Sequence, residues 1–353
     1  MSTDDPQLAK VPVTVLSGFL GAGKSTLLNA LVQQPAMEGA AVLINEFGAV
    51  GIDHHLVAMA EDRLVLLDSG CVCCSVRGDL PRAFKDLTMR CQRREIPPIR
   101  RLLLETTGLA DPAPLMRTLL EDFFIAERYR ADGIVTVVDG LAGLDTLARH
   151  REAVRQVAMA DRLLISKCDL ASATELDTLE ASLGRINPAA DRLRIQDGQI
   201  DAERVCGLGL YDPTTRRVDV ARWLADDRIA AAAPAYRSIQ PAGRHDESVR
   251  AHVLRYDRPF DWLQLADGLD TLLEASGQGI LRIKGLVHVA GEALPRVVQC
   301  VGHRRYPAAT LPAWPDQDRD TRLVFIVDGL SRATLSHSLA MFCDAEPVEP
   351  PIL

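Results

Sequence analysis

What this sequence has least of is positive charge to spare. Lys plus Arg number 40 against 48 Asp plus Glu, a net charge of −8. That excludes broad electrostatic attraction to nucleic acid or anionic lipid, so any phosphate ligand must be held locally. The first ten residues, Met1 to Lys10, carry two aspartates and no apolar run. They lack the basic start and hydrophobic stretch of a secretory signal, and nothing asks for a membrane, so a cytoplasmic protein is expected. No internal repeat is visible. With 47% hydrophobic and 25% charged residues, the composition is far from that of a disordered chain. The 353 residues accommodate two cores, since domains commonly run about 100–200 residues. The eight cysteines are expected to stay reduced in a cytoplasmic setting, which turns a close cluster of them into a metal-site or redox candidate. There is one such cluster, at Cys71, Cys73 and Cys74.

Short apolar runs alternate with amphipathic stretches through the first half. Val11–Leu16, Ala41–Ile44, Leu64–Leu67, Arg101–Leu104, Ile134–Val138 and Leu163–Ile165 read as strands buried on both faces. Leu80, Ala83, Phe84 and Leu87 recur at helical spacing, and Thr174 to Leu183 has a similar rhythm. This alternation predicts a doubly wound, mostly parallel α/β sheet with ligands at the carboxyl ends of its strands. From about Ala230 the chain turns to Ala, Pro, Gly and polar residues, a linker composition. A smaller α+β domain is expected beyond it, with strands at Val249–Tyr256, Ile280–Val289, Arg296–Val301 and Leu323–Val327 and helices at Trp262–Ala275 and Leu330–Phe342. The resulting division is a nucleotide domain over 1–235, a linker over 236–248, a second domain over 249–345 and a tail over 346–353.

Gly18-Phe19-Leu20-Gly21-Ala22-Gly23-Lys24-Ser25 matches G-x-x-x-x-G-K-[ST] between an apolar strand and a helix start at Thr26. In such a loop the glycines let successive N–H groups face phosphate oxygens, and the helix dipole adds to the attraction. Gly18, Gly21, Ala22, Gly23, Lys24, Ser25 and Thr26 form the expected cradle. Lys24 should reach the β- and γ-phosphates while making few core contacts, and Ser25 should reach Mg²⁺. The strand Arg101–Leu104 ends in Glu105, where P-loop proteins keep the acid that holds or orders Mg²⁺. Gly108, shortly after it, lets the backbone approach the γ-phosphate.

Ser166-Lys167-Cys168-Asp169 follows another strand and is similar to the Asn-Lys-x-Asp guanine motif with serine in place of asparagine. The Asp169 carboxylate can accept from N1–H and the 2-amino group of guanine, a donor pair that adenine lacks. Lys167 and Asp169 are therefore the base-site candidates, with GTP favoured and ATP open.

Thiolates at Cys71, Cys73 and Cys74 are soft ligands suited to Zn²⁺ and neighbouring metals, and three protein ligands leave a position open for metal release. A helix N-terminus and Arg77 would lower the thiol pKa values, which also suits a redox sensor. In extended backbone Cys71 and Cys73 point the same way and Cys74 the other, so the first pair leads. The remaining cysteines, Cys91, Cys168, Cys206, Cys300 and Cys343, read as core filling.

Taken together, these motifs resemble the CobW family of P-loop GTPases, relatives of the hydrogenase- and urease-maturation GTPases. The resemblance rests on residues 18–26, Asn45-Glu46-Phe47-Gly48, the stretch from Gly70 to Leu80, and Glu105-Thr106-Thr107-Gly108-Leu109-Ala110-Asp111-Pro112. In the second half it rests on Arg258-Pro259-Phe260-Asp261-Trp262, Leu281-Arg282-Ile283-Lys284-Gly285 and Trp314-Pro315. It implies GTP hydrolysis with Mg²⁺, coupled to handling Zn²⁺ or Co²⁺ for a client metalloprotein. Lys24, Glu46, Glu105 and Gly108 are then the catalytic set, with Glu46 and Gly108 in switch loops. A homodimer is one assembly in keeping with it; nucleic acid and membrane are not expected partners. A GTP-regulated zinc sensor with little turnover is the alternative. Three positions depart from the family pattern: Ala49 stands where glutamate is frequent, the linker has no histidine-rich run beyond His245 and His252, and Cys300 replaces a glycine. His54 and His55, close to Asp53, read as a solvated loop pair.

Overall fold

The computed structural model describes residues 10–44, 65–68, 76–208 and 248–348. Glu46, Ala49, Asp53, His54, His55, the cluster Cys71–Cys73–Cys74, Arg77's side chain, and the expected linker with His245 lie outside what is described. The chain divides into two compact units, one of Met1–Thr146, Ala160–Asp177 and Arg192–Gly209, the other of Leu147–Met159, Thr178–Asp191 and Leu210–Leu353.

In chain order the first half runs β1 (Val11–Gly18), α1 (Lys24–Val32), β2 (Ala40–Ile44), β3 (Val65–Asp68), α2 (Val76–Gln92), β4 (Arg101–Glu105), α3 (Pro112–Glu121) and α4 (Phe123–Arg128). It continues with β5 (Tyr129–Asp139), α5 (Gly143–Arg149), α6 (Arg151–Met159), β6 (Arg162–Ser166), α7 (Ala173–Ile186) and β7 (Asp191–Arg194). The strands form one sheet in the order β3-β2-β4-β1-β5-β6-β7. Every pairing from β3 through to β6 is parallel. Six of these strands coincide with the apolar runs of the sequence. β7 does not, because Asp-Arg-Leu-Arg carries no apolar run and is at most half-buried.

Parallel strands buried on both faces need apolar side chains on both, and Val13, Val15, Val42, Leu102, Leu104, Val135 and Leu163 are all buried. Leu27, Leu28 and Leu31 of α1 close one face against Leu16, Val42, Leu103 and Val137. α3 begins where sequence grammar allows: Asp111 accepts the Ala113 N–H at 2.9 Å and Pro112 occupies the first turn, a capped start with no wasted donor.

β5 carries one irregularity. Val13 pairs with Ala131 and Thr14 with Gly133, so Asp132 is the extra residue of a bulge. Its Oδ2 accepts from Thr14 Oγ1 at 2.8 Å and from the Gly207 N–H at 2.7 Å while the residue is only 2% exposed. A single buried carboxylate thus ties the sheet to the chain segment leaving the unit.

In the second unit, β8 (Val249–Tyr256), α8 (Trp262–Ala275), β9 (Ile280–Val287), β10 (Arg296–Val301), β11 (Arg304–Arg305), β12 (Ala309–Thr310), β13 (Thr321–Asp328) and α9 (Arg332–Cys343) follow. The sheet is antiparallel, in the order β11-β10-β9-β13-β8, with β12 beside β10. Leu265, Leu269 and Leu273 of α8 and Leu335 and Leu339 of α9 bury against Ile283, Val298, Leu323 and Phe325. Both helices start on side-chain caps, Asp261 to Gln264 N–H and Ser331 to Thr334 N–H. The expected helix and strand placements hold here to within two residues at either end. Among the described residues no helix is long and apolar enough to cross a membrane.

Asp132→Ala should lower the stability of the first unit by about 1–3 kcal/mol, because it strands the buried Thr14 hydroxyl and frees the Gly207 N–H. Urea unfolding followed by circular dichroism reads the change; an unchanged midpoint would show that the bulge contributes nothing.

Candidate functional site

The P-loop leaves the carboxyl end of β1, the strand flanked by β4 and β5. Gly18 has φ 141°, and a Cβ there would overlap the Val137 carbonyl oxygen, so only glycine fits the exit from the sheet. The loop then curls back on itself, with Ala22 N–H donating to the Phe19 carbonyl at 3.2 Å, and enters α1 at Lys24. Lys24 is more enclosed than the sequence suggests. It is 8% exposed, and its Nζ donates to the Gly18 carbonyl at 2.8 Å and the Phe19 carbonyl at 3.2 Å. The expectation of few internal contacts is therefore corrected: the ammonium spans the loop it belongs to, which holds the loop's curvature and keeps the charge at its concave side.

Ser25 Oγ lies 3.4 Å from Glu105 Oε1. Glu105 ends β4 and is 7% exposed, and the Leu16–Glu105 register sets it level with the start of the P-loop. Two residues on, the Thr107 hydroxyl is buried with no hydrogen-bond partner. Gly108 follows against the P-loop: a Cβ there would come within 2.6 Å of the Leu20 backbone N. The backbone after the acid and the phosphate loop thus touch, and a side chain at 108 would separate them. The Ser25 hydroxyl and the Glu105 carboxylate are hard oxygen donors, the chemistry Mg²⁺ selects.

The second cluster lies at the end of β6. Ser166 is buried, and its hydroxyl donates to the Ala22 carbonyl at 2.6 Å. Serine does here what its motif position requires structurally, tying the base loop to the phosphate loop. Lys167 has φ 53°, and the Leu170 N–H donates to its carbonyl at 3.1 Å, closing a turn that leaves Asp169 exposed. Lys167 Nζ pairs with Asp139 Oδ2 at 2.6 Å. Burial pushes the Asp139 carboxyl up, but the Lys167 ammonium and the N–H groups of Ala142 and Leu141 outweigh it and hold the carboxyl below its ordinary value.

The structure therefore brings Gly18, Gly21, Ala22, Gly23, Lys24, Ser25 and Thr26 together with Glu105 and Gly108 on one side and Ser166 and Lys167 on the other. Asp139 was missed by sequence reasoning. A signal for Asp139 existed, since it ends an apolar strand and precedes a glycine as Glu105 nearly does.

The scattered cysteines are buried or half-buried thiols. Burial raises the pKa of Cys91, Cys206 and Cys300, and pushes Cys343 up to about 11, which disfavours the thiolate that metal binding requires. His303 faces the Leu273 carbonyl, and His252 the Leu330 carbonyl at 3.2 Å with its pKa lowered by burial. Among the described residues there is no group of three or more His, Cys, Asp or Glu side chains placed to hold a metal.

Residues 12–194 match the family model for the CobW/HypB/UreG nucleotide-binding domain, and residues 249–343 the model for the cobalamin synthesis protein cobW C-terminal domain. The chain is 31% identical over 316 residues to the zinc chaperone YjiA of Escherichia coli, covering 90% of this chain and 93% of that protein. It is 31% identical over 357 residues to the zinc chaperone CobW of Pseudomonas aeruginosa, covering 94% and 91%. Among solved structures, the Zn(II)-bound YjiA GTPase of E. coli superposes with a TM-score of 0.69 at 25% identity, covering 95% of this chain and 99% of that one. A P-loop with its acid and its guanine-type turn on a parallel sheet, family-model matches over 12–194 and 249–343, and near full-length likeness at this identity together establish that the chain belongs to the CobW family of P-loop GTPases.

Proposed function

We propose that GTP binding and hydrolysis at this site govern the affinity of the chain for a transition metal, Zn²⁺ first and Co²⁺ second, held through Cys71 and Cys73 and passed to a client metalloprotein. The observation that carries the reading is a register. At the carboxyl end of β2, Ile44 is the register partner of Asp68 on β3 and of Glu105 on β4. Adjacent strands lie about 4.8 Å apart, so the chain leaves toward Glu46 and toward the cysteine cluster within about 10 Å of the Glu105 backbone. Glu46 is two residues past one of these ends and Cys71 three past another. The zinc chaperones to which the chain is similar along nearly their full length supply the metal.

In this reading the cradle of residues 18–26 holds the phosphates, and Lys24 offsets their charge. Asp169 and Lys167 select guanine. Ser25 and Glu105 would hold Mg²⁺, which neutralises charge developing on the β- and γ-phosphates. Gly108, already against the P-loop, gives the backbone that senses the γ-phosphate, and Glu46 belongs to a second sensing loop. Cys74 adds to the metal site only if the backbone turns there. Residues 1–235 make the cytoplasmic GTPase domain and 249–345 a smaller α+β domain.

Lys24→Ala should cut steady-state phosphate release by about 100-fold or more, the scale of losing a preorganised cation at a phosphoryl group. Unaltered turnover would end the assignment. Asp169→Ala should narrow the preference for GTP over ATP, read by competition; equal selectivity would move base recognition elsewhere. For the coupling itself, Co²⁺ titrated optically should bind more tightly with a non-hydrolysable GTP analogue than with GDP. The expected factor is roughly 5–150, the usual span of allosteric couplings, and metal should tighten GTP by the same factor. Equal Co²⁺ affinity in the two states refutes the coupling. Cys71→Ser with Cys73→Ser should abolish tight metal binding and leave nucleotide affinity in place.

A further inference from the structure

Resting on the guanine-site reading above, we propose that Asp139 is a positioning residue for base recognition, acting on the nucleotide only through Lys167 and the Asp169 turn. Asp139 and Ser166 are 27 positions apart, yet they are register partners at the carboxyl ends of β5 and β6. Gly140 N–H donates to the Ser166 carbonyl at 2.8 Å, and a Cβ on Gly140 would stand 2.6 Å from that oxygen. Glycine lets the two strand exits close on each other.

The carboxylate is anchored before Lys167 reaches it. Oδ1 accepts the Leu141 N–H at 2.9 Å and the Ala142 N–H at 3.0 Å, which fixes the plane of the group and leaves Oδ2 for Lys167 Nζ. Lys167 is in the left-handed region, where a residue with a side chain stays only if its surroundings hold it. Three contacts do so: Ser166 Oγ on the Ala22 carbonyl, Gly140 N–H on the Ser166 carbonyl, and Lys167 Nζ on Asp139. Asp169 is exposed and two residues beyond Lys167, so its aim is set by the backbone angles at Lys167. When the Asp139 charge is removed, the lysine loses the contact that fixes its side chain. The turn then samples other conformations, and guanine binding must carry the cost of ordering it.

A purely structural role for Asp139, as the acceptor for the Leu141 and Ala142 N–H groups, is separable from this one. Asp139→Asn keeps an acceptor oxygen for both N–H groups while giving up the charge that pairs with Lys167. The test uses the full chain, with GDP and ADP dissociation constants by calorimetry for wild type, Asp139→Asn, Lys167→Met and the double variant, and melting curves for each. Asp139→Asn should weaken GDP by about 5–20-fold, the scale of a charge-assisted hydrogen bond discounted for a half-exposed lysine. ADP affinity and the melting midpoint should stay at wild-type values. The double variant should bind GDP no more weakly than Lys167→Met alone, since the two side chains act as one unit. The proposal is overturned if Asp139→Asn binds GDP as wild type does, if GDP and ADP weaken together with a lowered melting point, or if the two substitutions add. A wild-type chain that binds ADP as tightly as GDP removes the guanine reading and this inference with it, whereas the other outcomes remove this inference alone.

Discussion

Parallel pairing at a common register is the constraint from which the site follows. Leu16, Ile44, Asp68 and Glu105 are held level by backbone hydrogen bonds between β1, β4, β2 and β3, so four loops of unrelated sequence leave the sheet at one edge. Parallel strands require crossovers, the crossovers are helices, and the helices need apolar strand faces to lie on. The buried valines and leucines of the sheet therefore have a chemical consequence far from themselves. A one-residue slip in β4 would turn Glu105 to the opposite face and take it away from Ser25.

Close backbone approach is the second element. Gly108 lies against Leu20 and Gly140 against the Ser166 carbonyl, and in each case a strand exit meets another at a distance that no side chain permits. One such contact joins the acid-bearing loop to the phosphate loop, the other joins two loops on the base side. Ser166 links the two regions through the Ala22 carbonyl. The phosphate loop is thereby in contact both with the backbone that follows Glu105 and with the start of the turn that carries Asp169.

The P-loop, its acid and the lysine–aspartate turn were legible because each is a short local pattern beside an apolar run, and the runs themselves mark buried strands. β7 escaped notice because its four residues hold a single apolar side chain, Leu193, and none is fully buried. The bulge at Asp132 escaped because the extra residue leaves the apolar rhythm of β5 undisturbed. Lys24 was read as a ligand group alone. Its burial against the Gly18 and Phe19 carbonyls depends on how the loop closes, which no spacing records.

By itself, then, the sequence determined the family, the strands of the first sheet up to β6, and the four long strands and two helices of the antiparallel unit. Those properties reside in hydrophobic periodicity and in contiguous motifs. Only the tertiary structure decided that Asp139 meets Lys167, that Ser166 holds the Ala22 carbonyl, and that Gly108 lies against Leu20. Each of these joins residues 28, 144 and 88 positions apart, respectively. Strand order and register, which arise from packing the whole sheet, bring them together; no local propensity encodes such a meeting.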